Sequence, residues 1–200
     1  MCNQFRIPNL KQMSEYLTQG LGLPLIPPDF SSEEKDVFPK QKAPVMLFKD
    51  NQLQLQNKNW GYPSPIDNNK VIFNARIERF YDSKPSMWDN SFARQRCIIV
   101  ASEFFEYSKN TYPATNGKTY HERFSFSDPE HPLTLIAGIY DKDNFSMVTT
   151  EPNSYMAPIH NRMPLVIKPE KLRRWLFQNF TNLIDRSDFD LSVKKLPNEN

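Results

Sequence analysis

Seventeen prolines against five glycines in 200 residues forbid long uninterrupted elements. A proline inside a helix removes a hydrogen bond and collides with the preceding turn, and within a sheet it is confined to edges, strand starts and bulges. The chain must therefore fold from short segments joined by stiffened loops. Hydrophobic residues make up 38% and aromatics 13%, with 15 Phe among them. That is enough apolar surface for one domain of this length to build a core.

The apolar pattern reads mainly as strands. Leu53 and Leu55 alternate with Gln over 52–56, as a half-buried strand requires. Pro44 to Phe48, Val71 to Phe73, Cys97 to Val100, Arg123 to Phe126, Leu133 to Tyr140, Phe145 to Thr150 and Pro164 to Ile167 are further strands, with Cys97 as inert core. Asn116-Gly117 marks the tip of a hairpin between Tyr107 and Tyr120. Helical spacing appears at Leu10, Met13 and Leu17, stopped at Gly20. It recurs over 84–96, with Met87, Phe92 and Ala93 inward, and at Leu172, Trp175 and Leu176. Residues 21–44 read as an irregular surface loop, with the charged run Glu33-Glu34-Lys35-Asp36 solvated. The sum is an α+β fold, mostly antiparallel, with helices at the margins. Residues 2–185 form the domain and 186–200 a polar tail.

Several function classes fall away. No apolar run approaches the roughly 20 residues of a membrane span, and no charged start precedes an apolar stretch with a cleavage site. An intracellular protein is expected, in which Cys2 and Cys97 stay reduced. The cysteines and His121, His131 and His160 show no zinc-ligand spacing, so no metal or cofactor is expected. The formal net charge of +2 permits an anionic partner through a local basic groove only.

The residues with chemistry to offer begin at Cys2. Without Met1, it would carry a free amine and a thiol on adjacent carbons. The amine condenses with an aldehyde, and the thiol then closes a five-membered thiazolidine on the same carbon. Downstream, Asn74-Ala75-Arg76-Ile77-Glu78 follows an apolar strand, and alternation puts Asn74 and Arg76 on one face, with Glu78 on the same side if the strand continues. That face is either the solvent side of an edge strand or a polar pocket wall in which Arg76 forks onto a phosphate. Glu106 stands among aromatics in Glu103-Phe104-Phe105-Glu106-Tyr107, where desolvation raises a carboxyl toward neutrality. Glu103, three residues away, faces oppositely. His160 and Arg162 lie between apolar residues in Ile159-His160-Asn161-Arg162-Met163-Pro164. His160 is either a proton shuttle or a structural histidine, and Arg162 contacts phosphate or braces its loop.

Cys2, the Asn74-Ala75-Arg76-x-Glu78 element, Arg96-Cys97 leading to Phe105-Glu106, and Ile159-His160-x-Arg162-Met163-Pro164 occur in this order and spacing in the SRAP family, which the chain resembles from residue 2 to about 180. The resemblance implies a compact domain around a curved, barrel-like sheet. It implies capture of abasic sites in single-stranded DNA through a Cys2 thiazolidine, with associated lyase or autopeptidase activity. Asn74, Arg76, Glu106 and His160 match the family's active-site positions. Arg76 and Arg162 would then meet phosphates, and Trp60 and Tyr62 would stack on bases or pack as core. The implied partner is single-stranded DNA bearing abasic sites, bound by a monomer, off the membrane, in the cytoplasm or on the nucleoid of a bacterium. The chain departs from the family at Asn3-Gln4-Phe5 (usually Gly-Arg-Phe), at Tyr107 (usually Trp), and after Trp60-Gly61-Tyr62-Pro63, where a second tryptophan is missing. The same residues also fit an N-terminal-nucleophile hydrolase using Cys2, His160 and Glu106. A non-catalytic single-strand binder is the third reading.

Overall fold

The computed structural model describes residues 2–67, 69–185 and 189–198. The chain opens with β1 (Gln4–Ile7), then α1 (Leu10–Glu15), whose first turn is capped by the Asn9 side chain accepting from the Gln12 N–H at 2.9 Å. A π-helical turn carries it on to Gly20, the expected stop. Next come β2 (Lys35–Val37), β3 (Lys42–Lys49), β4 (Gln52–Trp60), β5 (Tyr62–Pro63), β6 (Val71–Ile72) and β7 (Asn74–Arg76). The second helix is α2 (Asp89–Arg94), followed by β8 (Arg96–Ala101), β9 (Glu103–Pro113), β10 (Thr119–Ser127), β11 (Thr134–Tyr140), β12 (Asn144–Thr150) and β13 (Met163–Pro164). Helix α3 (Leu172–Phe177) and β14 (Ser192–Lys195) complete it.

One sheet closes on itself. Neighbours run β11-β8-β3-β4-β12, and β11 also pairs with β12. Those strands form a small barrel, which leaves no open edge between them. All its ladders are antiparallel except β12 against β4, and β7 joins the outside of β12 in parallel. Gly138 is required here. A Cβ at that position would fall 2.8 Å from the Cys97 sulfur and 3.4 Å from the Ser146 carbonyl oxygen, so only glycine lets β8, β11 and β12 come this close. The second sheet, β14-β10-β9-β1-β2, lies against the barrel. Phe5 of β1 meets Trp60 edge-on at 4.8 Å and Phe145 at 6.5 Å. The start of the chain is thereby anchored by fully buried aromatic rings. The expected α+β fold around a barrel-like sheet is the one observed.

Three local expectations need correction. The loop over 21–44 contains β2, which pairs with β1. Asp36, expected in solvent, accepts from Arg6 at 2.7 Å and from Gln4 at 2.9 Å; a strand this short shows no periodicity. The helix expected over 84–96 is cut to α2, because Asp89 caps the turn before it, accepting from the Ser86 N–H at 2.9 Å. Met87 and Ala93 consequently face solvent, while Trp88 and Phe92 are buried. The polar tail is stitched into the fold. Strand β14 pairs with β10, and Phe189 and Leu191 are buried; residues 186–188 and 199–200 lie outside the described ones.

Candidate functional site

Cys2 stands two residues ahead of the first residue of β1, which runs between β9 and β2. The β1–β9 register pairs Gln4 with Phe105 and Arg6 with Glu103, so the residue following Phe105 lies alongside the start of the chain. That residue is Glu106, 3% exposed. Glu103 points elsewhere and pairs with Arg6 at 2.9 Å, as strand alternation requires.

Asn74 arrives from the barrel side. It is the first residue of β7, which is held by its parallel pairing with β12. Its Nδ2 donates to the Cys2 carbonyl at 2.8 Å, bridging 72 positions of sequence. Its buried Oδ1 has no hydrogen-bond partner, so an acceptor is held ready beside Cys2. The Cys2 thiol donates to the Gln4 carbonyl at 3.3 Å.

Electrostatics follow from burial. Burial pushes the Cys2 thiol far above its ordinary value, and the nearby Glu106 adds to this, so the sulfur carries its proton at neutral pH. Burial likewise pushes the Glu106 carboxyl up to about 7, against the pull of the chain's amino-terminal charge and the Tyr107 backbone. A carboxyl balanced there can both give and take a proton. His160 is half-buried. Its imidazole is lowered by burial, then by the amino-terminal charge and by Arg162, so the ring is neutral. Its Nδ1 sits 3.1 Å from both the N–H and the carbonyl of Arg162, which fixes the ring's orientation.

Arg76, at the end of β7, is exposed. With Asn74 it lines a cavity of about 390 Å³ that also includes Arg79, Met87 and Trp88. Two arginines beside an apolar wall suit a nucleotide's phosphate and ring faces. Glu78 is not on this strand face, because β7 ends at Arg76 and a 3₁₀ turn over Ile77–Phe80 takes over.

A family model described as SOS response associated peptidase (SRAP) matches residues 1–194. The chain belongs to the SRAP family. The relative YoqW of Bacillus subtilis (strain 168), named an abasic site processing protein, is 29% identical over 154 residues, which take in 70% of this chain. YedK of Escherichia coli (strain K12), also so named, is 26% identical over 153 residues, or 73% of this chain. The chain spans 65% of the length of each. A structure from Bordetella bronchiseptica shares the fold with a TM-score of 0.73 at 17% identity, over 98% of this chain and 100% of that one. One from Bacteroides thetaiotaomicron does so at 0.61 and 22% identity, over 82% and 78% of the respective chains.

The SRAP fold thus brings Cys2, Asn74 and Glu106 together, with Arg76 on the rim and His160 on the loop that leads into β13. It does not bring the other expected nucleic-acid contacts to the surface. Trp60 is fully buried, and its Nε1 donates to the Phe73 carbonyl at 2.8 Å; no face is left for a base. Tyr62 is 5% exposed, its hydroxyl 3.0 Å from that of Ser91. Both are core residues, and Trp60 braces the Phe5 strand that carries Cys2. Arg162 is also buried, with its guanidinium on carboxylates rather than open to a phosphate. Met1 lies outside the described residues.

Asn153 shapes the approach to His160. Its Oδ1 accepts from the Tyr155 and Met156 N–H groups at 3.1 Å, and its Nδ2 donates to the Phe189 carbonyl at 2.7 Å. It caps the turn that delivers His160. The signal available was an Asn directly after Glu151-Pro152, a common turn opener. His121 and His131 are structural, held by the Ser108 carbonyl and by Asp128. Both cysteines are free thiols. No helix among the described residues is long and apolar enough to cross a membrane.

Proposed function

We propose that this protein processes abasic sites in DNA by covalent capture, with Cys2 as the reacting residue once Met1 has been removed. The observation that supports this most is the contact between Asn74 Nδ2 and the Cys2 carbonyl, with the Glu106 carboxyl beside the same residue at about 7. Segments far apart in sequence converge on one N-terminal residue. The names of the relatives point the same way.

In this reading, protonated Glu106 donates to the ring oxygen of the abasic deoxyribose as it opens to the aldehyde, the anomeric hydroxyl gives its proton to solvent, and Glu106 is left as the carboxylate. The Cys2 amine adds to the aldehyde carbon, and loss of water leaves an imine. His160, neutral and fixed at its Nδ1 edge, moves the protons of that dehydration. The sulfur then bonds to the imine carbon. Its proton passes to the Glu106 carboxylate and from there to the ring nitrogen, so no net proton is gained or lost. Holding the thiol protonated until this stage protects it from oxidation. Ring closure is intramolecular, with an effective molarity of about 10⁵ M or more. It consumes the imine that would otherwise promote strand cleavage by β-elimination. Arg76 holds the flanking phosphate of single-stranded DNA and reads no sequence.

The test is incubation with an abasic single-stranded oligonucleotide, read by denaturing gel and intact mass. An SDS-resistant adduct on Met1-free protein is expected, lost in Cys2→Ala with affinity for intact strand retained. Adduct formation after chemical blocking of the α-amine would overturn the reading.

A further inference from the structure

The sequence left Arg162 between two roles, and its surroundings decide between them. Its Nη1 donates to Glu78 Oε1 at 2.7 Å and to Glu151 Oε1 at 3.0 Å; its Nη2 donates to Glu78 Oε2 at 2.8 Å and to the Thr149 carbonyl at 3.0 Å. Glu78 therefore receives a two-pronged fork, the geometry that guanidinium offers and ammonium does not. Partial burial alone would raise the Glu78 carboxyl, and the Arg162 bonds overcome that and bring it below its ordinary value. The side chain of Arg162 is 8% exposed, against 45% for Glu78 and 77% for Glu151. The cation is thus the inner member, and the two carboxylates lie between it and solvent.

The elements joined in this way matter more than the pairs. Glu78 sits two residues past Arg76, on the turn that terminates the Asn74 strand. Thr149 lies opposite Arg76 in the β7–β12 register. The backbone of Arg162 holds His160 Nδ1. One buried guanidinium therefore fixes the His160 loop to the strand pair that presents Asn74 and Arg76.

We propose that Arg162, clamped by Glu78, is a positioning residue that holds the His160 loop on the strand pair carrying Asn74 and Arg76, and that it is not a contact for DNA phosphate. The inference rests on the proposed abasic-site reaction only for its kinetic readout. A phosphate would have to displace Glu78 or Glu151 from a buried cation to reach it, and Arg76 already stands exposed on the same strand.

Glu78→Gln separates the two roles because they predict opposite signs. It removes the clamp's charge and leaves volume and fold in place; Arg162→Lys removes the fork and keeps the cation. If Arg162 is a positioning residue, both variants slow adduct formation at saturating abasic strand by tenfold or more, and both leave the dissociation constant for intact single strand within about twofold. If it is a phosphate contact, Arg162→Lys weakens intact-strand binding, Glu78→Gln strengthens it, and the saturated rate is unchanged. That result overturns the proposal.

A second readout needs no DNA. The imidazole ¹⁵N signals of His160 should shift in Glu78→Gln, with the melting temperature followed in parallel. Unchanged signals would overturn the positioning role whether or not the wild-type protein forms an adduct. An absent wild-type adduct with shifted signals would sink the proposed reaction alone.

Discussion

The side-chain amide of Asn74 holds the main-chain carbonyl of Cys2 at 2.8 Å, so Cys2 is oriented through its backbone while its sulfur is left to a separate partner, the Gln4 carbonyl. Replacing the donor with an acceptor tests this. Asn74→Asp places a carboxylate against the Cys2 carbonyl in a buried setting, and each unsatisfied buried polar group costs about 1–3 kcal/mol. Urea unfolding should show a loss in that range, and the adduct rate should fall at least tenfold.

Glu106 makes stability depend on pH. Its folded value of about 7 lies above the ordinary 4.5. Below pH 4.5 the carboxyl is protonated in both folded and unfolded chains, and burial brings no ionisation penalty. As pH rises through 7 the folded state is forced to ionise a buried group, and the stability held at low pH is lost, up to about 3 kcal/mol. Glu106→Gln cannot ionise. Denaturant midpoints at pH 5 and pH 8 should show the variant gaining on the wild type as pH rises, even though its adduct rate is lower at both.

Trp60 stands in the core, which makes a sharp prediction about DNA. Trp60→Phe loses the bond to the Phe73 carbonyl and leaves a void, costing about 2 kcal/mol or more. Binding to intact single strand below the melting temperature should be unchanged. A drop equivalent to the 1–3 kcal/mol typical of base stacking would place the indole on the DNA after all.

Arg76 is exposed beside a cavity and makes the complementary case. Arg76→Ala should weaken binding to all sequences alike and lower the slope of log affinity against log salt by about 1. Titrations at several salt concentrations measure this directly.

Ending the chain after Asp185 would remove β14 and expose the surfaces that Phe189 and Leu191 cover. Each such side chain contributes about 1.5–3 kcal/mol when buried. A clear fall in melting temperature is expected. An unchanged value would show that this segment is dispensable.

How far the sequence could be read depended on how far a residue's partners lay along the chain. The barrel strands were legible because each carries its own period: Leu53 and Leu55 against Gln, or the unbroken run from Cys97 to Val100. Cys2, Asn74 and Glu106 gave weak signals one by one, and it was the order and spacing of their motifs, resembling the SRAP family, that singled them out. Strands β2 and β14 were not legible, since three or four residues hold too little pattern and their pairing is decided by strands far away. Trp60 and Tyr62 stayed open between base stacking and core packing because an aromatic beside a glycine looks the same in either setting. Gly61 itself explains the packing. It adopts φ +119°, and a Cβ there would meet Val71 at 2.8 Å, so only glycine lets the chain pass this close to β6. Arg162 remained ambiguous because Glu78 lies 84 positions away.

The placement of Cys2 just ahead of a central sheet strand has a practical consequence. The front of this polypeptide is no loose tether that can swing aside, since Phe5 is locked under Trp60 only three residues later. A purification handle fused before Met1 would keep the Cys2 nitrogen in an amide and deny it the free amine that the proposed capture requires. Preparations intended for activity measurements should therefore carry their handle beyond Asn200.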